Sequence, residues 1–254
     1  MIDQVDITKV LFLDIECVTA RPTYAELDDR FRALWAVKCR QLLRRPAEEI
    51  SEEEVEALYP ERAAIFAEFG RIVCISVGAV YRDKEAGQQL KVRLKSFADE
   101  NEAELLHAFS TLVFQHYNDP ARYYFCGHNI KEFDMPYLCR RMVVNQLPFP
   151  GSLQLTGKKP WELKHLLDTM ELWKFGDRKS FTSLDLLAAV LDFPTPKDDI
   201  DGSDVGRIYW EDKDLDRIAH YCEKDVLATI QLFLRYKRMP LLEEEAQVAH
   251  LGRG

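Results

Sequence analysis

The chain has 254 residues, 47% of them apolar, and a formal net charge of -9. That length and apolar share suffice to bury a sizeable core in one large domain, or in one domain carrying an insertion, which excludes a disordered chain. The acidic balance excludes a broad basic surface that grips duplex nucleic acid non-specifically, so any nucleic-acid binding has to be local and helped by metal.

The N-terminus carries acids and leads directly into KVLFLDIECV, without the basic stretch, apolar stretch and small-residue cleavage site of a secretory signal. The longest apolar run, Ile72 to Tyr81, is too short to span a bilayer. A cytoplasmic protein with no membrane association is expected. The six cysteines, Cys17, Cys39, Cys74, Cys126, Cys139 and Cys222, are scattered. They form no C-x-x-C pair and no cysteine-histidine zinc spacing, and they read as reduced core residues.

Residues 9–15 are almost all apolar and β-favouring, the pattern of a strand buried on both faces of a sheet. Residues 20–69 read as helical. One amphipathic stretch lies near Tyr24 to Arg45, and a second helix starts at Ser51, where Glu54 completes a capping-box signature. Gly70 ends this stretch. Arg71 to Arg82 and Gln89 to Phe97 form two consecutive strands around a polar turn with Gly87, which predicts a hairpin. A helical pattern follows from Asp99 to Tyr117, then a short strand Arg122 to Cys126 and a break at Gly127. The next helix covers Asp134 to Asn145, with Pro136 in its first turn, where a missing N–H costs nothing. Leu147 to Trp161 is loop-like, His165 to Asp168 is a candidate fifth strand, and Ser183 to Phe193 is a short helix with caps at Thr182 or Ser183. An acidic loop spans Pro194 to Gly206. Apolar residues at 215, 218, 219, 222, 226, 230 and 233 then mark one long helix, and the last dozen residues read as a frayed tail.

Asp14 and Glu16 stand two apart at the end of the first strand, so the period-two backbone points both carboxylates to one side. Two acids there are costly unless a cation sits between them; the plain alternative is a strand running out into solvent. Asp134, in HNIKEFDMPYL, stands at a helix start, where its plain alternative is an ordinary N-cap. Asp225, in HYCEKDVLAT, lies on the long helix beside apolar residues, where a solvated helix acid is the alternative.

Taken together, LDIEC, NIKEFD and YCEKD resemble in kind and order the three motifs of the DEDD exonuclease superfamily: D-x-E at a strand end, F-D at a helix start and Y-x-x-x-D on a late helix. Within it the chain is similar to the proofreading domain of family-B DNA polymerases and to stand-alone bacterial relatives of that domain, notably in ISVG, FTSLDLLAAVL and DGSDV. The resemblance covers roughly residues 9–238 and least of all the helical insertion. It implies a ribonuclease-H-like α/β fold, with a mixed five-stranded sheet flanked by helices and the insertion 20–69 within a single domain 1–254. No polymerase domain fits in the rest of the sequence, so the protein is expected to act alone or with a partner.

The resemblance further implies a 3′-5′ exonuclease using two Mg²⁺ or Mn²⁺ ions, the cations that oxygen-only ligands favour. Asp14 would bridge both ions, Glu16 and Asp225 would complete the site of the water-activating ion, Asp134 would hold the second ion through its waters, and Tyr221 would orient the attacking water. Ile15, Cys17, Asn129 and Phe133, neighbours of the acids, are candidate contacts to the terminal nucleotide, with core packing as their alternative role. Lys158, Lys159, Lys164, Lys174, Arg178 and Lys179 are a candidate phosphate track or a solvated basic surface. The expected partner is single-stranded DNA with a free 3′ end. An RNA-directed exonuclease, a ribonuclease-H-like endonuclease and a non-catalytic nucleic-acid-binding module are the competing readings; Y-x-x-x-D speaks against the endonuclease, and the presence of all four acids against the binding module. His220 and Tyr221 both satisfy superfamily sub-patterns. At about 100° per residue Tyr221 lies roughly 40° and His220 roughly 140° from Asp225 around a helix, which predicts the tyrosine on the aspartate's face.

Overall fold

The structure is a computed structural model that describes residues 2–85, 87–177, 181–194, 200–243 and 247–248. Arg178, Lys179, much of the acidic loop and most of the C-terminal dozen lie outside these residues. The sheet consists of β1 (Val10–Thr19), β2 (Gly70–Asp83), β3 (Gln89–Ala98), β4 (Tyr124–Gly127), β5 (Leu166–Asp168) and β6 (Gln247–Val248), in the order β5-β4-β1-β2-β3-β6. β1, β4 and β5 are parallel, β2 runs antiparallel to β1, and β3 returns antiparallel to β2. This is the mixed five-stranded α/β sheet read from the sequence, with one correction. Gln247–Val248 add a two-residue sixth strand, parallel to β3, where a frayed tail was expected.

The helices are α1 (Asp29–Leu43), α2 (Glu52–Arg62), α3 (Glu102–His116), α4 (Asp134–Val144), α5 (Thr169–Lys174), α6 (Leu184–Leu191), α7 (Val205–Arg207, continued by a wide turn Ile208–Asp212) and α8 (Leu215–Tyr236). Several starts are those the sequence marks. The Ser51–Glu54 capping box forms, and Ser183 caps α6 through the Leu186 N–H. α5 went unread, because six residues after a three-residue strand carry too little periodicity.

Alternation along β1 sorts its two faces. Leu11, Leu13 and Ile15 enter a core with α3 and α4, whereas Val10 and Phe12 meet α8, where Phe12 and Phe233 pack edge to face at 5.4 Å. Asp14 and Glu16 continue the α8-facing row. The helix lies close to the sheet at Gly78, directly across from Phe12 on β2: a Cβ there would stand 2.8 Å from Val226 Cγ1 and 2.9 Å from Ile230 Cδ1. On the other face, Glu102 and Arg141 form a buried two-pronged ion pair. Glu102 also accepts from the Ile72 N–H at 2.7 Å, and Arg141 donates to the Ala67 carbonyl at 2.8 Å, which ties α4 to α3 and to β2. The 20–69 segment has a small core of its own around Trp35, Cys39 and Tyr59, and touches α4 through the Tyr137 hydroxyl, which donates to the Ala64 carbonyl. Among the described residues, no helix is long and apolar enough to cross a membrane.

Gly78→Ala forces a methyl group between the sheet and α8. It should lower unfolding stability by about 1–3 kcal/mol in a urea melt. Gly202→Ala, with no atom within 4 Å of the added carbon, should stay within about 0.5 kcal/mol of the parent.

Candidate active site

Parallel pairing of β1 with β4 stops at Phe12, while pairing with β2 continues to Thr19 through a bulge at Glu16/Cys17. β1 therefore does not end at the acids, as the sequence suggested. The short β4 diverges first, and the longer β2 keeps Asp14 and Glu16 in extended backbone with their side chains toward α8. The segments that leave the C-terminal ends of β4 and β5 gather at the same end of the sheet, where open α/β sheets form their crevices. The first brings Asp134, the opening residue of α4, to the two β1 acids; the middle of α8 brings Tyr221 and Asp225. All four carboxylates interact electrostatically with one another.

The electrostatics are those of like charges held in a poorly solvated place. Burial pushes the Asp14 carboxyl well above the usual carboxylate range, and Asp225, Glu16 and Asp134 push it further. Glu16, 9% exposed, is raised well above its ordinary value by burial first and Asp225 second, and it receives no hydrogen bond among the described residues. Asp134, 3% exposed, is pushed up to about 7, chiefly by burial, against the lowering effect of its own N–H and that of Ile15. The Tyr221 phenol is raised by burial and by Asp225, to which it donates a hydrogen bond, so it stays protonated and a donor. His220 is exposed, inside a helix that already starts at Leu215.

The remaining candidates are placed as follows. The Ile15 side chain is in the core opposite the carboxylates, so only its backbone reaches the site, through Asp134. Cys17 and Phe133 are half-buried against the same core beside Tyr137, with the Phe133 and Tyr137 rings 5.4 Å apart. Asn129 has a left-handed backbone (φ 66°) in the loop before Asp134.

Three residues missed by the sequence reading also belong here. Asp168, 4% exposed, accepts the N–H groups of Asn129 (3.1 Å), Met170 (2.9 Å) and Glu171 (3.2 Å) on Oδ1 and that of Lys131 (3.1 Å) on Oδ2. It thus joins the loop before Asp134 to the start of α5. His128, whose pKa burial lowers, donates from Nε2 to the Thr182 carbonyl at 2.9 Å and lies 2.9 Å from Thr169 Oγ1 through Nδ1. Cys222 donates its thiol toward Asp14, with Sγ 3.4 Å from both Oδ2 and the carbonyl oxygen. The signal for Asp168 was an acid closing a strand directly before a helix; Cys222 looked like one more apolar position of α8.

The residues fit divalent cations. Several carboxylates converge, Glu16 is buried without a donor among the described residues, and Asp14, Glu16 and Cys222 offer ligand atoms within 4.8 Å of one another. The oxygen-rich set suits Mg²⁺ or Mn²⁺.

This is a ribonuclease-H-like fold of the kind found in polymerase proofreading domains. The chain matches, with TM-score 0.54 and 16% identity, a family B DNA polymerase from the hyperthermophilic archaeon Pyrobaculum calidifontis. The match covers 89% of this chain and only 24% of the polymerase. Among curated proteins no relative matches. Residues 65–250 match the family described as a predicted 3′-5′ exonuclease related to the exonuclease domain of PolB, and the chain belongs to that family. Asp134, Tyr221 and Asp225 fall inside the matched segment; Asp14 and Glu16 precede it, and the fold brings them to the same place.

A carboxyl whose pKa rises on folding contributes stability while it holds its proton and loses it as pH climbs through the folded value. For Asp134 that window runs from 3.8 to about 7. In metal-free buffer Asp134→Asn should therefore melt higher than the parent, and the Tm difference should widen from pH 5 to pH 8. A constant difference across that range would mean that neither burial nor the neighbouring acids raise the Asp134 carboxyl.

Proposed function

We propose that this chain is a metal-dependent 3′-5′ exonuclease that removes nucleotides from the 3′ end of single-stranded DNA. The observation that carries this reading is the convergence of Asp14, Glu16, Asp134 and Asp225, with Glu16 buried and lacking a donor among the described residues. We read the chain as one catalytic unit, with residues 20–69 as an insertion within it. Two Mg²⁺ or Mn²⁺ ions, when bound, supply an activated water and positive charge at the reacting phosphate. Asp14, Glu16, Asp225 and Asp134 would hold these ions, the first three on the side of the activated water. Tyr221, whose hydroxyl proton is donated to Asp225, would orient the attacking water by accepting a hydrogen bond on its phenolic oxygen. Asp168 and His128 position the loop that delivers Asp134, and Asn129 and Phe133 on that loop lie nearest to where the terminal nucleotide is expected.

Support for a single strand comes from the exposed rings around the cleft beside this loop, about 900 Å³, whose lining mixes Lys131, Lys158 and Lys174 with Glu132, Asp168, Glu171 and Asp177. Around it Phe175 is 90% exposed and Phe181 69%, and Lys174 stands 4.4 Å above the Phe181 ring. Exposed rings with neighbouring cations accept unstacked bases without sequence preference.

Incubation with Mn²⁺ and end-labelled oligonucleotides tests the polarity. Mononucleotides should accumulate from the start, a 3′-phosphate should block the reaction and a 5′ block should not. Cuts in a circular single strand would instead mark an endonuclease. Tyr221→Phe should lower kcat by about 10²-fold with little change in KM, whereas His220→Ala should leave both nearly intact. Loss of turnover in His220→Ala with an active Tyr221→Phe would reverse the assignment.

A further inference from the structure

The donor set contains one atom that does not belong with Mg²⁺ or Mn²⁺. Cys222 precedes Asp225 by three residues and so shares its face of α8, and its Sγ lies 3.4 Å from Asp14 Oδ2. The sulfur and one oxygen each of Asp14 and Glu16 lie within 4.8 Å of one another. Zn–O and Zn–S bonds of about 2.0–2.2 and 2.3 Å mean that an ion need draw these atoms in by only about 1 Å. Cys74, paired with Glu16 across β1 and β2, contacts the thiol, and both cysteines are fully buried, so the sulfur is held in place. Independently, Glu16 is nine-tenths buried, is aimed into this space and has no donor among the described residues.

We propose that Asp14, Glu16 and Cys222 form a site for a thiophilic divalent cation, Zn²⁺ or Cd²⁺, whose occupancy excludes the catalytic ions and stops the nuclease. The inference rests on the reading of Asp14 and Glu16 as cation ligands. The cation replaces the thiol proton: the S–H bond breaks, the metal–sulfur bond forms, and the proton leaves to solvent. Selectivity follows from ligand softness, because thiolate favours Zn²⁺ and Cd²⁺ over Mg²⁺ and Mn²⁺, and Zn²⁺ also outranks Mn²⁺ at mixed sites. An all-oxygen site would discriminate far less.

The test is a Cd²⁺ titration of the metal-free protein, followed through the ultraviolet cadmium–thiolate charge-transfer band. Zn²⁺ inhibition of the Mn²⁺-supported nuclease runs beside it, each protein being normalised to its own uninhibited rate. The parent should develop the band with one equivalent. Cys222→Ser and Cys222→Ala should lose it, Cys139→Ser should keep it, and Asp14→Asn and Glu16→Gln should need at least about tenfold more Cd²⁺. The Zn²⁺ needed for half-inhibition should rise by a similar factor in Cys222→Ser. A band that survives in the Cys222 variants, an unchanged Cd²⁺ affinity in Asp14→Asn, or equal Zn²⁺ sensitivity of parent and Cys222→Ser overturns the proposal. If the Cys222 variants fail to fold, the Asp14→Asn and Glu16→Gln titrations decide alone. A parent that shows the expected band and no Mn²⁺-dependent nuclease contradicts the exonuclease reading and leaves this site standing; the reverse pattern separates them the other way.

Discussion

Mutual repulsion among four buried or half-buried carboxylates is the constraint around which this fold is arranged. Two unit charges about 5 Å apart at an effective dielectric near 20 repel by roughly 3 kcal/mol, and here Asp14, Glu16, Asp134 and Asp225 all act on one another. Without a cation, burial first and this repulsion second make Asp14, Glu16 and Asp134 hold protons at pH values where free carboxylates are ionised. With one, the same repulsion becomes binding energy for positive charge. The acids come from three separate pieces of the chain, so the rest of the structure has to hold those pieces against a force that drives them apart.

Each piece is held by a different device. β1 is clamped between β4 and β2, and its pairing with β2 runs on past both acids. α8 lies on the sheet over Gly78, with Val226 and Ile230 filling the space that a side chain would need. Its polar underside is satisfied by buried Ser96, which bridges Ser76 at 2.8 Å and Glu223 at 2.6 Å. α4 is fixed at its far end by Arg141 and Glu102, and at its near end by the loop whose Asn129 and Lys131 N–H groups Asp168 holds while it also accepts those of Met170 and Glu171 in α5. A buried carboxylate with that many donors is well satisfied, in contrast to Glu16 nearby, and the contrast separates a structural acid from a cation-seeking one.

The sequence displayed the parts that depend on local periodicity. The apolar run before Asp14, the capping box at Ser51 and the apolar row of α8 each announce their element, and D-x-E on a strand and Y-x-x-x-D on a helix each put two side chains on one face by backbone geometry alone. What it did not display depends on tertiary placement. The extension of β1 beyond Glu16 exists because β2 is long, which cannot be read from β1. Asp168 has no regular spacing from Asp134, and its role comes from two loops meeting. Cys222 falls on the apolar repeat of α8 and looks like core until Asp14 is seen beside its sulfur. The two-residue strand Gln247–Val248 pairs with a strand some 150 positions earlier and carries no pattern of its own.

Direct measurement of cation uptake addresses the central claim without relying on any substrate. Mn²⁺ titrated into the metal-free protein, with the free ion followed by its electron paramagnetic resonance signal, should disappear into the parent and remain free with Asp14→Asn, whose carboxylate lies at the centre of the repelling group. A parent that takes up no Mn²⁺, or an Asp14→Asn variant that takes up as much as the parent, would contradict the account.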